Sequence, residues 1–281
     1  MKAVNAEVKV VTISSHDGIS CQNIPTVPSD ESSGYSRPVY LVGIGPGGLD
    51  NMTPKAVSTL RKVQVVIGHR ACLDLVGKLI TGKEIILGEM SPIKRAEIAV
   101  NKALEGRDVA VVSNGDPGIF AIASTFFGYL KKEGIKVPVE VIPGVTVASA
   151  AGALLGSPLG HDFAAISLAD LATPWDAIRR RLESAAESDF VIVLYNPKGK
   201  LGNRRLKKAI ITLTNYRQAT TPVGIVTNAT GDGEKVQITT LAEVPGCGID
   251  TQSIVIIGNS ETFVFDGRMV TPRGYKEGVG Y

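Results

Sequence analysis

From residue 38 onward, short apolar runs alternate with longer stretches whose apolar positions recur at helical spacing. VYLVGI (39–44), VQVVIG (63–68), KEIIL (83–87), RDVAVVS (107–113) and VPVEVI (137–142) read as strands. Their near-continuous Val and Ile content means burial on both faces, as in a parallel sheet covered by helices. Thr53-Pro54 and Ser91-Pro92 are helix starts, each pairing a capping hydroxyl with proline at the first helical position. The second of these helices is expected to end at Leu104, and another is expected over residues 118–132.

After the small-residue helix VTVASAAGALLG (145–156), the Gly/Pro/Ser connection GSPLG (156–160) marks the expected domain boundary. Beyond it FAAISL (163–168), FVIVLY (190–195) and PVGIVT (222–227) read as strands, with helices begun by Thr173-Pro174 and near Asn203. Short strands then crowd together at VQIT, SIVIIG, TFVF and MVT, which implies antiparallel pairing and a mixed sheet. The expected architecture is two α/β domains in series: a mainly parallel one over 38–156 and a mixed one over 157–281. Residues 1–37, rich in turn-forming and small polar residues, read as a poorly ordered extension in which VKVVTI is the one candidate strand.

Composition narrows the function. With 281 residues and 44% hydrophobic side chains the chain can bury real cores, and no apolar run is long enough to span a membrane. A net charge of +3 is too mild for a nucleic-acid partner. Cys21, Cys72 and Cys247 form no CxxC pair, and the three histidines are scattered, so neither a disulfide framework nor a metal site is expected. A cytoplasmic location follows from the same scarcity and from the lack of a signal segment.

Gly43, Gly45 and Gly48 satisfy GxGxxG after a strand. A dinucleotide reading fails on Pro46 inside the loop, on a helix start delayed to Thr53-Pro54, and on VVIGHR, which lacks a ribose-binding acid. SNGDPGIF (113–120) and VIPGVT (141–146) end two further strands. Asp116-Pro117 reads there as an N-cap, and Gly144 and Thr146 open the next helix. Ligands of open parallel sheets bind beyond the carboxyl ends of the strands, where these loops lie. With no P-loop lysine a triphosphate is poorly served; S-adenosylmethionine suits them better, and other adenosine ligands stay open.

LVGIGPGG, SNGDPGIF, VIPGVT and VLYNP, in this order and spacing, resemble the tetrapyrrole (corrin/porphyrin) methyltransferase family from Pro38 to the end. GSPLGHDFAAISLADLATPW, VLYNPKGK and MVTPRGY resemble its members of cobalamin synthesis that act on ring carbon 17. The resemblance implies S-adenosylmethionine in a trough between two domains, a tetrapyrrole substrate and a homodimer. By motif, the cofactor-binding positions are Pro46, Asn114, Gly115, Asp116, Ile119, Thr146, Val147, Asn196 and Ala229. Asn114 replaces a small residue and Phe120 a tyrosine common in the family. The reaction implied is methylation of carbon 17 of a precorrin or cobalt-precorrin, coupled to ring contraction. His161 and Asp162, in the subgroup segment, are candidates for moving protons or meeting the macrocycle, with local capping as the structural alternative. Lys198 and Lys200 are candidates for the substrate's carboxylates, whereas Arg204, Arg205, Lys207 and Lys208 read as a solvated helix face. Trp175 reads as a packing anchor. The alternatives are methylation at another corrin position or of a macromolecule, a nicotinamide-dependent oxidoreductase, and a non-catalytic binding module.

Overall fold

The computed structural model describes residues 9–12, 20–23, 36–169, 173–199 and 202–274. The chain divides into two compact units, Met1–Thr146 and Val147–Tyr281. In the first, the elements run β1 (Lys9–Thr12), β2 (Ser20–Asn23), β3 (Val39–Gly43), α1 (Pro54–Lys62), β4 (Val65–Gly68), α2 (Arg70–Val76), β5 (Glu84–Leu87), α3 (Pro92–Leu104), β6 (Val109–Ser113), α4 (Ile122–Glu133) and β7 (Val139–Ile142).

Strands β5, β4, β6, β3 and β7 lie side by side in that order, all parallel. Alternation along each strand divides the core between two faces. Leu41, Ile67 and Val111 pack with Ala96, Val100 and Phe126 of α3 and α4. Val42, Val66 and Val112 pack with Leu60, Leu73 and Val76 of α1 and α2. Because β6, β3 and β7 are parallel neighbours, the loops that leave them emerge at one edge.

Within the segment expected to be an extension, β1 pairs antiparallel with both β2 and β5. An apolar piece covers the otherwise open ladder of β5, which a disordered tail would leave exposed. The rest of residues 1–35 lies outside the described residues. Helix α2, carrying Cys72, Leu73 and Val76 into the core, is an element the sequence pattern did not separate from its surroundings.

The second unit contains α5 (Val147–Leu155), β8 (Gly156–Ser157), β9 (Phe163–Ser167), α6 (Trp175–Glu187), β10 (Val191–Tyr195), α7 (Arg204–Leu213), β11 (Pro222–Thr227), β12 (Lys235–Thr240), β13 (Ser253–Ile257), β14 (Phe263–Phe265) and β15 (Arg268–Val270). Its main sheet has the order β12-β11-β13-β10-β9, with β9 and β10 parallel and the other pairs antiparallel. This is the expected mixed sheet. Strands β14, β15 and β8 form a small sheet of their own. Helix α6 buries Ile178, Leu182 and Ala185, and α7 buries Leu206, Ala209, Ile210 and Leu213, a helical stripe set on Ile192, Leu194 and Val255. Helix α5 packs on β11 and β13 through small residues, and Leu155 fills the space a side chain at Gly224 would need. The division between units accordingly falls at Thr146–Val147, ahead of GSPLG.

The expected caps of α1 and α3 form: Thr53 and Ser91 side chains accept from Ala56 and Lys94 N–H, each at 3.2 Å. Helix α6 differs, starting at Trp175 with Pro174 in the cap position and no side-chain bond. Trp175 packs against the core, and the Lys208 ammonium lies 5.4 Å from its ring centroid. Among the described residues no helix is long and apolar enough to cross a membrane.

Arg217, with a side chain 4% exposed, fastens the end of α6 to the start of β10. Its guanidinium donates to Ala186 O at 2.6 Å and Phe190 O at 3.0 Å, and lies 3.2 Å from the Asp189 carboxylate. Arg217→Met strands those acceptors and is expected to lower stability by about 3 kcal/mol, measured by thermal and urea unfolding.

Candidate functional site

In the first unit the loops leaving β3, β6 and β7 are joined backbone to backbone. Gly45 N–H donates to Gly115 O at 3.2 Å and Gly115 N–H returns the bond to Gly45 O at 3.1 Å. Both glycines sit at φ +67°, a left-handed geometry that other residues enter only at a cost. A side chain on Gly144 would overlap the Gly115 carbonyl oxygen, and one on Gly43 would come within 2.6 Å of Gly144 N. Buried Pro46 follows Gly45, and its carbonyl accepts from Asn51 Nδ2 at 3.1 Å. A short 3-10 turn, Leu49–Asn51, then intervenes before α1, so no helix N-terminus follows the glycines directly.

Asp116 holds this arrangement. One carboxylate oxygen accepts from Gly118 N–H at 2.7 Å and the other from Gly144 N–H at 3.0 Å. The expected N-cap role is thereby corrected. Helix α4 begins only at Ile122, with Ala121 in the cap position and no side-chain bond. The Pro117-Gly118 turn keeps the chain out of the helix for several residues, so the carboxylate bonds its own turn and the loop after β7 instead.

Charge and strain point the same way. Residues 43–53, 113–120 and 142–146 contain no Lys, Arg or His, but include Asp50 and Asp116. Such loops repel a pyrophosphate and suit a neutral or cationic ligand. Ile119 and Phe120 are 44% and 52% exposed beside the cradle, an apolar surface for a flat ring. Phe120 is also left-handed at φ 51°, a conformation costing about 1–3 kcal/mol that tends to persist at functional sites. Exposed Asn114 donates its backbone N–H to the Cys72 thiol, whose pKa burial raises. Thr146, half-buried, closes the unit.

In the second unit, Asn196, Ala229 and Ser167 lie at the carboxyl ends of β10, β11 and β9, which point the same way. Asn196 is left-handed at φ 52°, and its Nδ2 donates to Ser167 Oγ at 3.0 Å. Ala229 is 5% exposed between left-handed Asn228 and Thr230. Of the described non-glycine residues at positive φ, only Asp189 and Asp266 fall outside the candidate loops of the two units. Val147 opens α5, and the Tyr195 hydroxyl accepts from Ala148 N–H there at 3.3 Å. Lys198 is half-buried just past Asn196; Lys200 lies outside the described residues.

His161 and Asp162 are not brought to this edge. They precede β9, and Asp162 O accepts from Val191 N–H at 3.1 Å where β10 begins, the opposite end of the strand pair from Ser167 and Asn196. His161 Nδ1 accepts from Asp162 N–H at 2.8 Å, a local cap on an imidazole side chain 44% exposed. In the basic segment Arg205 donates to Ala169 O at 2.6 Å, while Arg204 and Lys207 are exposed. The Ser167 and Tyr195 hydroxyls, which brace Asn196 and α5, escaped sequence reading because a serine and a tyrosine ending apolar strands give no pattern.

The tetrapyrrole (corrin/porphyrin) methylase profile matches residues 38–245. The chain is 40% identical over 236 residues to the probable cobalt-factor III C(17)-methyltransferase of Salmonella typhimurium, covering 84% of this chain and 98% of that protein. It is 38% identical over 243 residues to the cobalt-factor III methyltransferase of Priestia megaterium, covering 85% of this chain but only 45% of that longer protein. Among solved structures, the methyltransferase CobJ superposes with a TM-score of 0.78 at 30% identity, covering 84% of this chain and all of that one. Uroporphyrin-III C-methyl transferase from Thermus thermophilus, solved with S-adenosyl homocysteine, gives a TM-score of 0.62 at 27% identity, covering 78% of this chain and 96% of that one.

Asp116→Ala leaves the Gly118 and Gly144 amides without their acceptor and is expected to destabilise the first unit by about 2 kcal/mol. Asp116→Asn keeps a single acceptor oxygen and should recover part of that loss, both measured as shifts in thermal melting.

Proposed function

This chain belongs to the tetrapyrrole (corrin/porphyrin) methylase family, and we propose that it methylates carbon 17 of precorrin-3B or of its cobalt-bearing counterpart, with ring contraction, in cobalamin synthesis. The observation that carries the reading is the cradle of the first unit: backbone loops stapled by an acid and free of cations. S-adenosylmethionine is the donor that fits it, being cationic at sulfur, lacking phosphate and ending in a flat base.

Bound, that donor supplies a methyl group on a sulfonium leaving group. In the first unit Pro46, Asn114, Gly115, Asp116, Ile119 and Thr146 would hold it; Val147, Asn196 and Ala229 are the candidates of the second. The chain's contribution is chiefly positional. Loops fixed by backbone bonds and by Asp116 need little reorganisation when a ligand arrives, so their binding energy goes into alignment. Exposed Ile119 and Phe120 offer an apolar surface that displaces water from a bound base. Lys198 is proposed to meet a carboxylate of the macrocycle. Ring contraction also requires proton movement; His161 and Asp162, turned to the opposite edge of their sheet, receive no role in it. A cytoplasmic location, in keeping with only three cysteines, and a homodimer, as the family resemblance implies, complete the proposal.

Turnover decides. The absorption spectrum of precorrin-3B, or of its cobalt-bearing form, is expected to change on adding the protein only when S-adenosylmethionine is present. An unaltered spectrum with intact S-adenosyl homocysteine binding would redirect the reading to another ring position. Binding of NAD without S-adenosyl homocysteine would overturn it in favour of an oxidoreductase.

A further inference from the structure

Two arginines are buried among the described residues, and they differ in one respect. Arg217 is tied through its terminal nitrogens to three carbonyls and a carboxylate, although its Nε, like that of Arg95, meets no acceptor. Arg95, on α3 of the first unit and 9% exposed, has a sealed Nε with no acceptor and, among the described residues, no ion pair or hydrogen bond at its guanidinium. Its side chain lies over Gly88, where an added Cβ would stand 2.7 Å from Arg95 Cδ. Gly88 N–H in turn bonds Gly68 O at 2.6 Å. The guanidinium therefore stands at the carboxyl ends of β4 and β5. Its charge reaches His69, whose pKa falls below the ordinary value, first through shielding of the ring and then through Arg95. It also reaches Cys72, the acceptor of the Asn114 amide. Exposed Glu89, on the same edge, forms no ion pair with it.

An unpaired buried cation is expensive, and removing it to an apolar side chain of similar length is commonly neutral or stabilising. Its retention is explained if the missing partner arrives with a ligand. We propose that Arg95 receives a peripheral carboxylate of the tetrapyrrole substrate and so orients the macrocycle, an inference that rests on the methyltransferase reading above. The planar fork of arginine matches a carboxylate with paired bonds. Carboxylate chemistry is also present at the amino-acid end of the methyl donor. The macrocycle is favoured because the loops proposed for the donor leave β6, β3 and β7, whereas Arg95 stands across β6 over β4 and β5.

The test uses the full chain with Arg95→Met and Arg95→Lys, assayed for turnover of precorrin-3B or its cobalt-bearing form, calorimetric S-adenosyl homocysteine binding and thermal melting. For Arg95→Met the KM for the tetrapyrrole is expected to rise about tenfold or more, with kcat and S-adenosyl homocysteine affinity each within about threefold of the parent and melting not lowered. Arg95→Lys should fall between the two, since a point charge replaces the fork. An unchanged KM overturns the proposal. So does a selective loss of S-adenosyl homocysteine affinity, which would give the guanidinium to the donor, or a fall in melting like that of Arg217→Met, which would make it a packing residue. If the unsubstituted chain binds neither S-adenosyl homocysteine nor tetrapyrrole, the methyltransferase reading itself fails and takes this proposal with it.

Discussion

The Asp116 carboxylate, shared between the Gly118 and Gly144 amides, is the constraint on which the first unit's site depends. Parallel strands bring three loops to one edge, but adjacency alone leaves their backbones free to splay. A charged acceptor bridging two of them, with the Gly45–Gly115 exchange bridging the third, fixes their spacing. Glycine is needed at the contact because any side chain on Gly144 would force the Gly115 carbonyl away. Here the sheet topology supplies proximity, and one carboxylate converts it into a defined surface.

Charge is distributed with the same economy. The loops that would meet a sulfonium carry acids and no bases. Among the described residues one buried guanidinium without an ion pair, that of Arg95, is held across β6, on the side proposed for the polyanionic reactant. The two signs thus lie over neighbouring strands of one sheet edge, Arg95 over β4 and β5 and Asp116 in the loop after β6.

Much of this was legible beforehand, for identifiable reasons. Strands buried on both faces leave continuous Val and Ile runs, so the parallel sheet could be read, and Thr53-Pro54 and Ser91-Pro92 gave their caps directly. The mixed sheet followed from closely spaced short strands. For Asp116 the sequence suggests only the nearest local role, a cap, because its bond to Gly144 spans 28 residues and no local pattern encodes it. His161 and Asp162 are candidates only because they lie in a motif, with local capping as the alternative, and strand direction sends them to the far edge of their sheet. Strand β1 is legible in the sequence only as a candidate within an extension, because its pairing with β2 and β5 is supplied by distant neighbours and not by its own residues. For Arg95 a signal did exist: it stands one helical turn before Ala99 on the buried stripe of α3, where a charge is out of place.

A site whose frame is drawn in peptide bonds has its identity stored in a handful of glycines and one aspartate. The side chains of Asn114 and Ile119 stand exposed beside that frame. On the proposed reading, exchanging them retunes which ligands are welcome, with the scaffold beneath left standing. For anyone seeking altered selectivity in this protein, those positions are the adjustable lettering on a fixed page.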